Sequence, residues 1–210
     1  MVRVVSVARD GPAGARGALE ECVAGGGVAV FPADGLYGLA ADPLDAAAID
    51  RIQRLKGRDD RKPSAVMYFT VLAMRELLDG VGPLARRAMG KLLPGPVTLV
   101  LANPSGRYPL ASRDDPSRLG VRLIEGPLAG ARCVLFQTSA NRSGEPPPDR
   151  FAAVPDEVVA EADLAIDAGA LSGLPSTVVD ISRLDADGSW EILREGGLPA
   201  ARVEAALAGR

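Results

Sequence analysis

Apolar stretches alternate with amphipathic ones along most of this chain. Residues 28–31 are uniformly apolar, which predicts a buried strand, and Pro32 is expected to end it because proline has no N–H for a ladder. Between residues 48 and 55 the apolar side chains recur at helical spacing, and Asp45 is the expected N-cap. The first part of the chain therefore predicts a strand, a glycine-containing loop at 32–39 and a helix.

The same pattern continues to the C-terminus. Further strands are predicted at 2–7, 63–69, 119–124, 132–136, 162–167, 176–181 and 190–194, and residues 94–101 predict a rigid turn that leads into a β-branched strand. Further helices are predicted at 14–24, 71–78, 83–93 and 199–207, with short helical pieces near 128–131, 149 and 155. Residues 103–118 are expected to form a loop, and residues 185–188 a turn. Strands that alternate with helices in this way predict an α/β architecture.

Length and composition describe an ordinary globular protein. With 210 residues, 47% of them hydrophobic and 24% charged, the sequence predicts a single domain over residues 1–210. No apolar run is long enough to span a bilayer and the N-terminus lacks a signal-peptide pattern, so a cytoplasmic location is expected. The formal net charge of −3 argues against a generally basic surface, although a local basic groove stays possible.

The absence of histidine narrows the chemistry further. It excludes Ser-His-Asp and Cys-His triads, a histidine general base and nearly all catalytic zinc sites. The two cysteines, Cys22 and Cys133, stand singly in apolar contexts, which favours core packing over a disulfide or a metal site. Reactions that depend on positioning and charge neutralisation, such as nucleotidyl and phosphoryl transfer, are favoured.

Four cations follow the helix that Asp45 begins. Lys56, Arg58, Arg61 and Lys62 lie within seven residues, next to a glycine and a proline. They could bind phosphate groups of a ligand. They could equally form the solvated, positively charged C-terminus that the dipole of a helix favours. The cluster alone does not separate these two readings.

Several polar residues stand at strand ends. Thr98 lies near the start of a predicted strand, where its hydroxyl could face a ligand or merely suit the strand. Arg122 interrupts an apolar strand, so its guanidinium must reach an anion or the surface. Residues 137–143 are almost all polar and follow another strand, which suits ligand binding but also a simple turn.

Together these segments resemble the YrdC-like family of threonylcarbamoyl-AMP synthases, from about residue 26 to residue 197. The resemblance rests on seven motifs in the family order, namely Pro32-Ala33-Asp34-Gly35-Leu36-Tyr37-Gly38-Leu39, Lys56-Gly57-Arg58 with Lys62-Pro63, Pro94 to Thr98, Val121-Arg122, Ser139 to Gly144, Ser176-Thr177-Val178 and Ile192 to Gly196. Each motif is weak by itself. Their common order makes the resemblance specific.

The resemblance implies a fold and a reaction. The fold is a twisted, mixed and largely parallel sheet flanked by helices around a positively charged cavity, here in the short single-domain form. In the reaction, ATP, L-threonine and bicarbonate give threonylcarbamoyl-AMP and pyrophosphate, with Mg²⁺ held through the ATP phosphates. A separate threonylcarbamoyl-transferase complex then modifies an adenosine beside the tRNA anticodon. Direct contact with tRNA is possible, and no membrane is involved.

The resemblance also implies site residues. The catalytic cations are Lys56 and Arg58. The nucleotide is expected to contact Lys56, Arg58, Lys62, Thr98, Ser139, Asn141 and Arg194. The amino-acid substrate is expected to contact Gly35, Tyr37, Met67, Arg122, Gln137, Ser176 and Thr177. No metal ligand is assigned.

Departures from the family pattern fall mostly on the amino-acid side. Ala33 and Gly35 stand where threonine is common, Met67 and Gln137 replace other residue types, and Ile124 stands where the pattern has proline. One hypothesis is that the protein acts on a different amine; the other is sequence drift around unchanged specificity. Carbamoyl-adenylate chemistry, as in larger carbamoyltransferases, and a non-catalytic RNA-binding module are further alternatives. The low aromatic content of 4% argues against base stacking in such a module.

Overall fold

The structure is a computed structural model that describes residues 2–57 and 63–208. Its strands are β1 (Arg3–Ser6), β2 (Ala29–Pro32), β3 (Tyr37–Ala41), β4 (Ala65–Tyr68), β5 (Val97–Ala102), β6 (Arg118–Leu123), β7 (Leu135–Ser139), β8 (Leu164–Asp167), β9 (Thr177–Asp180) and β10 (Glu191–Arg194). Its α-helices are α1 (Val7–Ala24), α2 (Ala46–Lys56), α3 (Arg75–Leu78), α4 (Pro83–Leu92), α5 (Pro109–Ser112), α6 (Asp156–Glu161), α7 (Leu184–Asp187) and α8 (Ala200–Ala208). A short 3₁₀ turn covers Phe151–Ala153.

All of these strands join one mixed sheet in the order β1-β8-β2-β3-β7-β4-β6-β5-β9-β10. The pairs β1–β8, β2–β8, β4–β6 and β5–β9 are parallel, and the other five pairs are antiparallel. The mixed α/β architecture is confirmed, but the share of parallel pairs is smaller than expected. One reason is local: β2 and β3 are joined by residues 33–36 alone, and so short a connection requires antiparallel strands.

The helices begin and end where local chemistry favours it. The Asp45 side chain accepts a hydrogen bond from the Ala48 N–H at 3.0 Å, which confirms it as the N-cap of α2. Gly57 ends α2 in the left-handed conformation with φ of 71°. Helix α1 starts earlier than predicted, at Val7, because it consists of two helical pieces. The chain kinks between them at Gly11, directly before Pro12.

Some elements differ from the sequence prediction. The loop expected at 32–39 becomes strand β3 from Tyr37 onward, because a tight turn closed by the Ala33 N–H and the Leu36 carbonyl (3.1 Å) pairs it with β2. Pro32 is the last residue of β2 rather than its stop. Strand β7 extends through the polar residues Gln137, Thr138 and Ser139. These three residues pair with residues of β3. Short helices α5 and α7 lie where a loop and a turn were predicted.

The sheet has a different environment on each of its two faces. One face is covered by apolar side chains of α2 and α4, and together with them it forms the larger core. The other face is covered by α1 only over β1, β8 and β2, where a second core forms. Because successive side chains of a strand point to opposite faces, Leu135, Gln137 and Ser139 of β7 share one face of the sheet. Leu135 packs in the second core, whereas Gln137 and Ser139 lie outside this core and line the cavity. The uncovered part of this face is a concave cavity.

None of the described helices is both long and apolar enough to cross a membrane. The assignment of residues 1–210 to a single domain stays a prediction.

Candidate active site

The cavity on the uncovered sheet face has a volume of about 470 Å³. Its floor consists of residues from β4, β5, β6, β7 and β9 on the same face of the sheet, and its rim includes residues 33–38, 174–176 and 193–194. The residues that line the cavity include Asp34, Gly35, Thr98, Asp115, Arg118, Arg122, Gln137, Ser139, Leu174, Ser176 and Arg194. The cavity therefore collects residues that are up to 160 positions apart in sequence, from Asp34 to Arg194.

Gly35 makes the closest approach at the rim. A Cβ atom at this position would lie 2.1 Å from the Leu174 carbonyl oxygen and 2.5 Å from Ser172 Oγ. The Gly173 N–H donates a hydrogen bond of 2.9 Å to the Gly35 carbonyl, which holds the two rim segments together. A side chain at position 35 would therefore displace the 172–174 segment. The glycine that departs from the family pattern is required by this packing.

Thr98, Ser176 and Arg194 form one wall of the cavity. The hydroxyl oxygens of Thr98 and Ser176 are 2.8 Å apart, and both residues are buried. Arg194 Nη2 donates to the Ser176 carbonyl at 2.8 Å and to Ser176 Oγ at 3.3 Å. Burial lowers the pKa of Arg194. An arginine side chain is not deprotonated in proteins, so its positive charge is available to the cavity. Three residues assigned by sequence are thus brought together.

Arg122 lies in the cavity floor beside Asp34. The residue is buried, and its Nη2 donates to the Asp34 carboxylate. Burial lowers the pKa of Arg122, and Asp34 opposes this effect. Burial also raises the pKa of Asp34, while the guanidinium acts in the opposite direction. Asp34 satisfies the need for an anion that the sequence indicated for Arg122.

Lys56 supports the cavity from behind the end of β7. Its ammonium donates to the Ser139 carbonyl at 2.8 Å and to the Asn141 carbonyl at 3.1 Å, with the side-chain oxygens of both residues at 3.4 Å. Lys56 is buried, and it is not a lining residue. The Asn141 side chain turns toward its own loop, where Nδ2 donates to the Arg142 carbonyl at 3.0 Å. Lys56 and Asn141 therefore position Ser139, which does line the cavity.

Three of the expected substrate contacts have side chains that do not face the cavity, although Tyr37 belongs to the rim segment 33–38. The Tyr37 ring packs in the larger core on the opposite face, and its hydroxyl donates to the Gly169 carbonyl and accepts from the Ala168 N–H, both at 2.9 Å. Met67 is fully buried in the second core, beyond the end of the cavity. The Thr177 hydroxyl donates to the Leu198 carbonyl at 2.6 Å. Strand alternation explains Thr177, because Ser176 and Val178 on either side line the cavity.

Arg58 and Lys62 lie outside the described residues. The structure adds cavity residues that sequence reasoning did not single out, among them Asp34, Asp115, Arg118 and Leu174. The signal for Arg118 was present, because it precedes Arg122 by four residues on the same face of β6. The signal for Asp34 was its position as the acidic residue of the motif that contains Gly35.

The chain offers no ready metal site of its own in the described residues, which contain no group of three or more histidine, cysteine or carboxylate side chains. The carboxylates that line the cavity, Asp34 and Asp115, are each paired with an arginine, Arg122 and Arg118 respectively. These residues therefore do not fit a metal held by the protein.

A family model named for Sua5, YciO and YrdC, with the description "Telomere recombination", matches residues 21–196. The chain belongs to this family. A threonylcarbamoyl-AMP synthase of Nitrosococcus oceani is 36% identical over 130 residues, which cover 60% of this chain and 70% of that protein. A second one, of Chromohalobacter salexigens, is 33% identical over 163 residues, which cover 74% of this chain and 86% of the relative.

A solved structure extends the likeness to nearly the whole length of this chain. The crystal structure of P. abyssi Sua5 complexed with L-threonine has a TM-score of 0.81 and 26% identity, and it covers 98% of this chain. This chain spans 60% of the length of that protein. The match confirms the fold class.

Proposed function

We propose that this protein is an L-threonylcarbamoyladenylate synthase, an ATP-dependent nucleotidyltransferase. It would form threonylcarbamoyl-AMP and pyrophosphate from ATP, L-threonine and bicarbonate. The observation that carries this proposal is the convergence of Thr98, Arg122, Ser139, Ser176 and Arg194 on one cavity. Membership in the family and relatives named threonylcarbamoyl-AMP synthase support it.

The nucleotide would occupy the part of the cavity between Ser139 and Arg194. Hydroxyl groups of Thr98 and Ser139 offer hydrogen bonds to phosphate oxygens without bulk, and Arg194 offers charge. Lys56 would act by holding the Ser139 turn in place and by adding positive charge behind it. Arg58 and Lys62, which follow Lys56 in the sequence, are the further cations that the family motif assigns to the nucleotide.

The amino acid would occupy the part near Arg122, with its carboxylate on the guanidinium and with Ser176, Gln137 and the Gly35 rim around it. Threonine and bicarbonate would first combine to a carbamate with loss of water. A carbamate oxygen then attacks the α-phosphorus of ATP, a new P–O bond forms, and the bond to pyrophosphate breaks. This displacement requires two anions to be held in line and their charge to be neutralised, and it requires no histidine.

Magnesium would enter with ATP and remain on phosphate oxygens, which is its usual mode in nucleotide sites. Because the product is an activated adenylate, a separate threonylcarbamoyl-transferase complex would consume it at tRNA. A cytoplasmic location follows from that place in tRNA modification. Direct contact between this chain and tRNA is a secondary part of the proposal.

The test is pyrophosphate release from ATP and bicarbonate with a panel of amino acids and simple amines. We expect release with L-threonine and strongly reduced release in Ser139→Ala and Lys56→Ala, with thermal melting to show that both variants fold. Removal of one well-placed donor typically lowers turnover by about a hundredfold. Release with another amine in place of threonine would reassign the substrate. No release with any amine, from folded wild-type protein, would refute the enzymatic proposal.

A further inference from the structure

Arg113, between helix α5 and strand β6, has buried hydrogen-bond donors without an acceptor. Its Nε and Nη2 atoms are buried without a hydrogen-bond partner, and so is Oγ of the preceding residue, Ser112. These atoms are three of the six buried side-chain atoms without a partner in the part of the chain that the structure describes. A guanidinium is always charged, and it is costly to leave its donors unpaired. Two such donors on one arginine indicate an acceptor beyond the described residues.

The backbone of Arg113 is also unfavourable for an arginine. Its φ of 56° and ψ of −121° are close to those of the first central residue of a type II′ turn. The turn runs from Ser112 to Asp115, and it is closed by the Asp115 N–H, which donates to the Ser112 carbonyl at 3.3 Å. Glycine is the favoured residue at this position because it has no Cβ atom. An arginine at position 113 therefore lowers stability through its backbone as well as through its unpaired donors.

The turn lies beside the nucleotide end of the cavity. Asp115 lines the cavity, and the Ala111 carbonyl accepts a hydrogen bond of 2.9 Å from the N–H of Ser64, which also lines it. Strand β7 runs antiparallel to β4, so its last residue, Ser139, lies beyond the start of β4, on the side of Ser64. Arg113 is therefore attached to the same end of the cavity as a hydroxyl that the proposed function assigns to phosphate groups.

We propose that Arg113 is a further substrate-binding residue, which engages the diphosphate formed by the β- and γ-phosphates of ATP. This inference rests on the proposed function and adds to it a residue outside the seven motifs of the family resemblance. A diphosphate offers several charged oxygen acceptors, and a guanidinium binds two of them at once through parallel N–H groups. Nε and Nη2 are such a pair of donors. The side chain turns from its enclosed position toward the cavity, and the new hydrogen bonds offset the cost of the strained backbone.

The direction of the reaction selects the diphosphate over the rest of the nucleotide. In an in-line displacement the attacking oxygen and the leaving diphosphate lie on opposite sides of the α-phosphorus. The proposed function places the attacking carbamate near Arg122, toward the C-terminal end of β6. The turn that contains Arg113 precedes the other end of the same strand, which begins at Arg118. The leaving diphosphate is therefore directed toward Arg113.

Calorimetric titration with parts of the nucleotide tests the proposal. The ligands are pyrophosphate, AMP, which lacks the diphosphate, and the non-reacting α,β-methylene analogue of ATP, which carries it. In Arg113→Ala, the affinities for pyrophosphate and for the ATP analogue should fall about tenfold, as expected for the loss of one charge-assisted contact. The affinity for AMP should stay at the wild-type level. Arg202→Ala, which removes an exposed arginine of α8, is the matched control and should bind all three ligands as the wild type does.

Arg113→Gly separates the side chain from the backbone. It removes the same guanidinium as Arg113→Ala but relieves the strained position, so its urea midpoint should exceed that of the alanine variant and that of the wild type. Its affinity for pyrophosphate should nevertheless fall as in the alanine variant. Wild-type affinity for pyrophosphate and the ATP analogue in Arg113→Gly would overturn the proposal and leave the buried donors to ordered water. A loss of AMP affinity equal to that of pyrophosphate would also overturn it, because the variant would then distort the whole site.

Failure of this proposal is separable from failure of the proposed function. If the wild type releases pyrophosphate with threonine and both variants bind all three ligands normally, Arg113 has no role and the synthase assignment stands. If the wild type releases no pyrophosphate but loses affinity for it through Arg113→Ala, the diphosphate site stands and the synthase assignment falls. A wild type that binds neither pyrophosphate nor the ATP analogue would refute both.

Discussion

Two halves of the same sheet face differ in what covers them. Over β1, β8 and β2, helix α1 packs on Val5, Phe31 and Ile166, and the side chains on this side are apolar and buried. Over β4, β6, β5 and β9 no described helix covers this face, and its inward positions include Thr98 and Arg122. Backbone pairing and strand alternation are alike in both halves.

The difference shows that the chemistry depends on where a covering helix is absent. The strands of the open half still need a buried face, and they have it on the opposite side, where the larger core lies. This arrangement allows polar residues at the open positions without loss of the core. Substitutions in the covered half should therefore change stability, whereas those in the open half should change ligand binding first.

The largest effect is expected for Lys56→Ala, which would leave the carbonyl groups of Ser139 and Asn141 without their buried donor. Pyrophosphate release should fall at least about a hundredfold, and the free energy of unfolding should fall by about 2 to 3 kcal/mol. Both quantities are measurable, by a coupled pyrophosphate assay and by urea denaturation. Loss of activity together with a shift in stability is expected because Lys56 joins the cavity to the end of α2. Activity near the wild-type level would contradict the positioning role.

Leu19→Ala tests the covered half. Leu19 belongs to α1 and is fully buried against the sheet in the second core, and truncation of a buried leucine typically costs about 3 kcal/mol of unfolding free energy. The KM values for ATP and threonine should stay at the wild-type level. Leu72→Ala is the matched control, because Leu72 is 78% exposed and its truncation should change stability by less than about 0.5 kcal/mol. A large rise in either KM for Leu19→Ala would mean that the two halves are not independent.

Gly35→Ala tests the rim of the open half. The added Cβ would lie 2.1 Å from the Leu174 carbonyl oxygen, so the 172–174 segment must move. We expect a loss of about 1 to 3 kcal/mol in unfolding free energy, and a larger rise in KM for threonine than for ATP. Gly17→Ala in α1 is the control, since nothing lies within 4 Å of its added Cβ and alanine favours a helix. An equal rise in both KM values would contradict the placement of Gly35 on the amino-acid side.

The smallest effect concerns two thiols of the covered half, Cys22 and Cys133, which pack against the second core. Burial raises the pKa of Cys22 from 9.0 to about 11 and that of Cys133 to about 12. The fold therefore favours the protonated thiols. Their contribution to stability is complete below the unfolded pKa of 9.0, and it is lost as the pH rises from there through the folded values of about 11 and about 12. Urea midpoints of the wild type should fall more between pH 8 and pH 10.5 than those of a Cys22→Ser, Cys133→Ser variant. Identical pH dependence in the two proteins would contradict the burial effect.

Much of the fold was predictable because its signals are local. The helix that Asp45 caps and the strands around Val66 and Val121 follow from periodicity and capping chemistry alone. Strand β3 was not predictable from Gly35 and Gly38, since the same glycines suit a loop and a tight turn before a strand. Its pairing with β2 and β7 depends on contacts distant in sequence.

The site was predictable as a set of residues more than as a set of roles. The motifs identified Thr98, Arg122, Ser139, Ser176 and Arg194, all of which line the cavity. They did not reveal which side chains face the ligand and which face the core. That distinction depends on strand parity, which places Thr177 away from the cavity, and on the position of α1, which leaves Met67 in the second core. Tertiary structure alone determines these placements.

The order of strands in the sheet has a consequence for a nascent chain on the ribosome. The cavity floor forms only when β9 pairs with β5, and the cavity wall forms only when Arg194 contacts Ser176. The first rim residues precede Arg194 by some 160 positions in the sequence, so the ribosome synthesises them much earlier. The polypeptide therefore cannot hold its substrates until almost all of it has emerged. Contacts of such long sequence separation form slowly, and ligand binding should report completion of folding rather than guide its early steps.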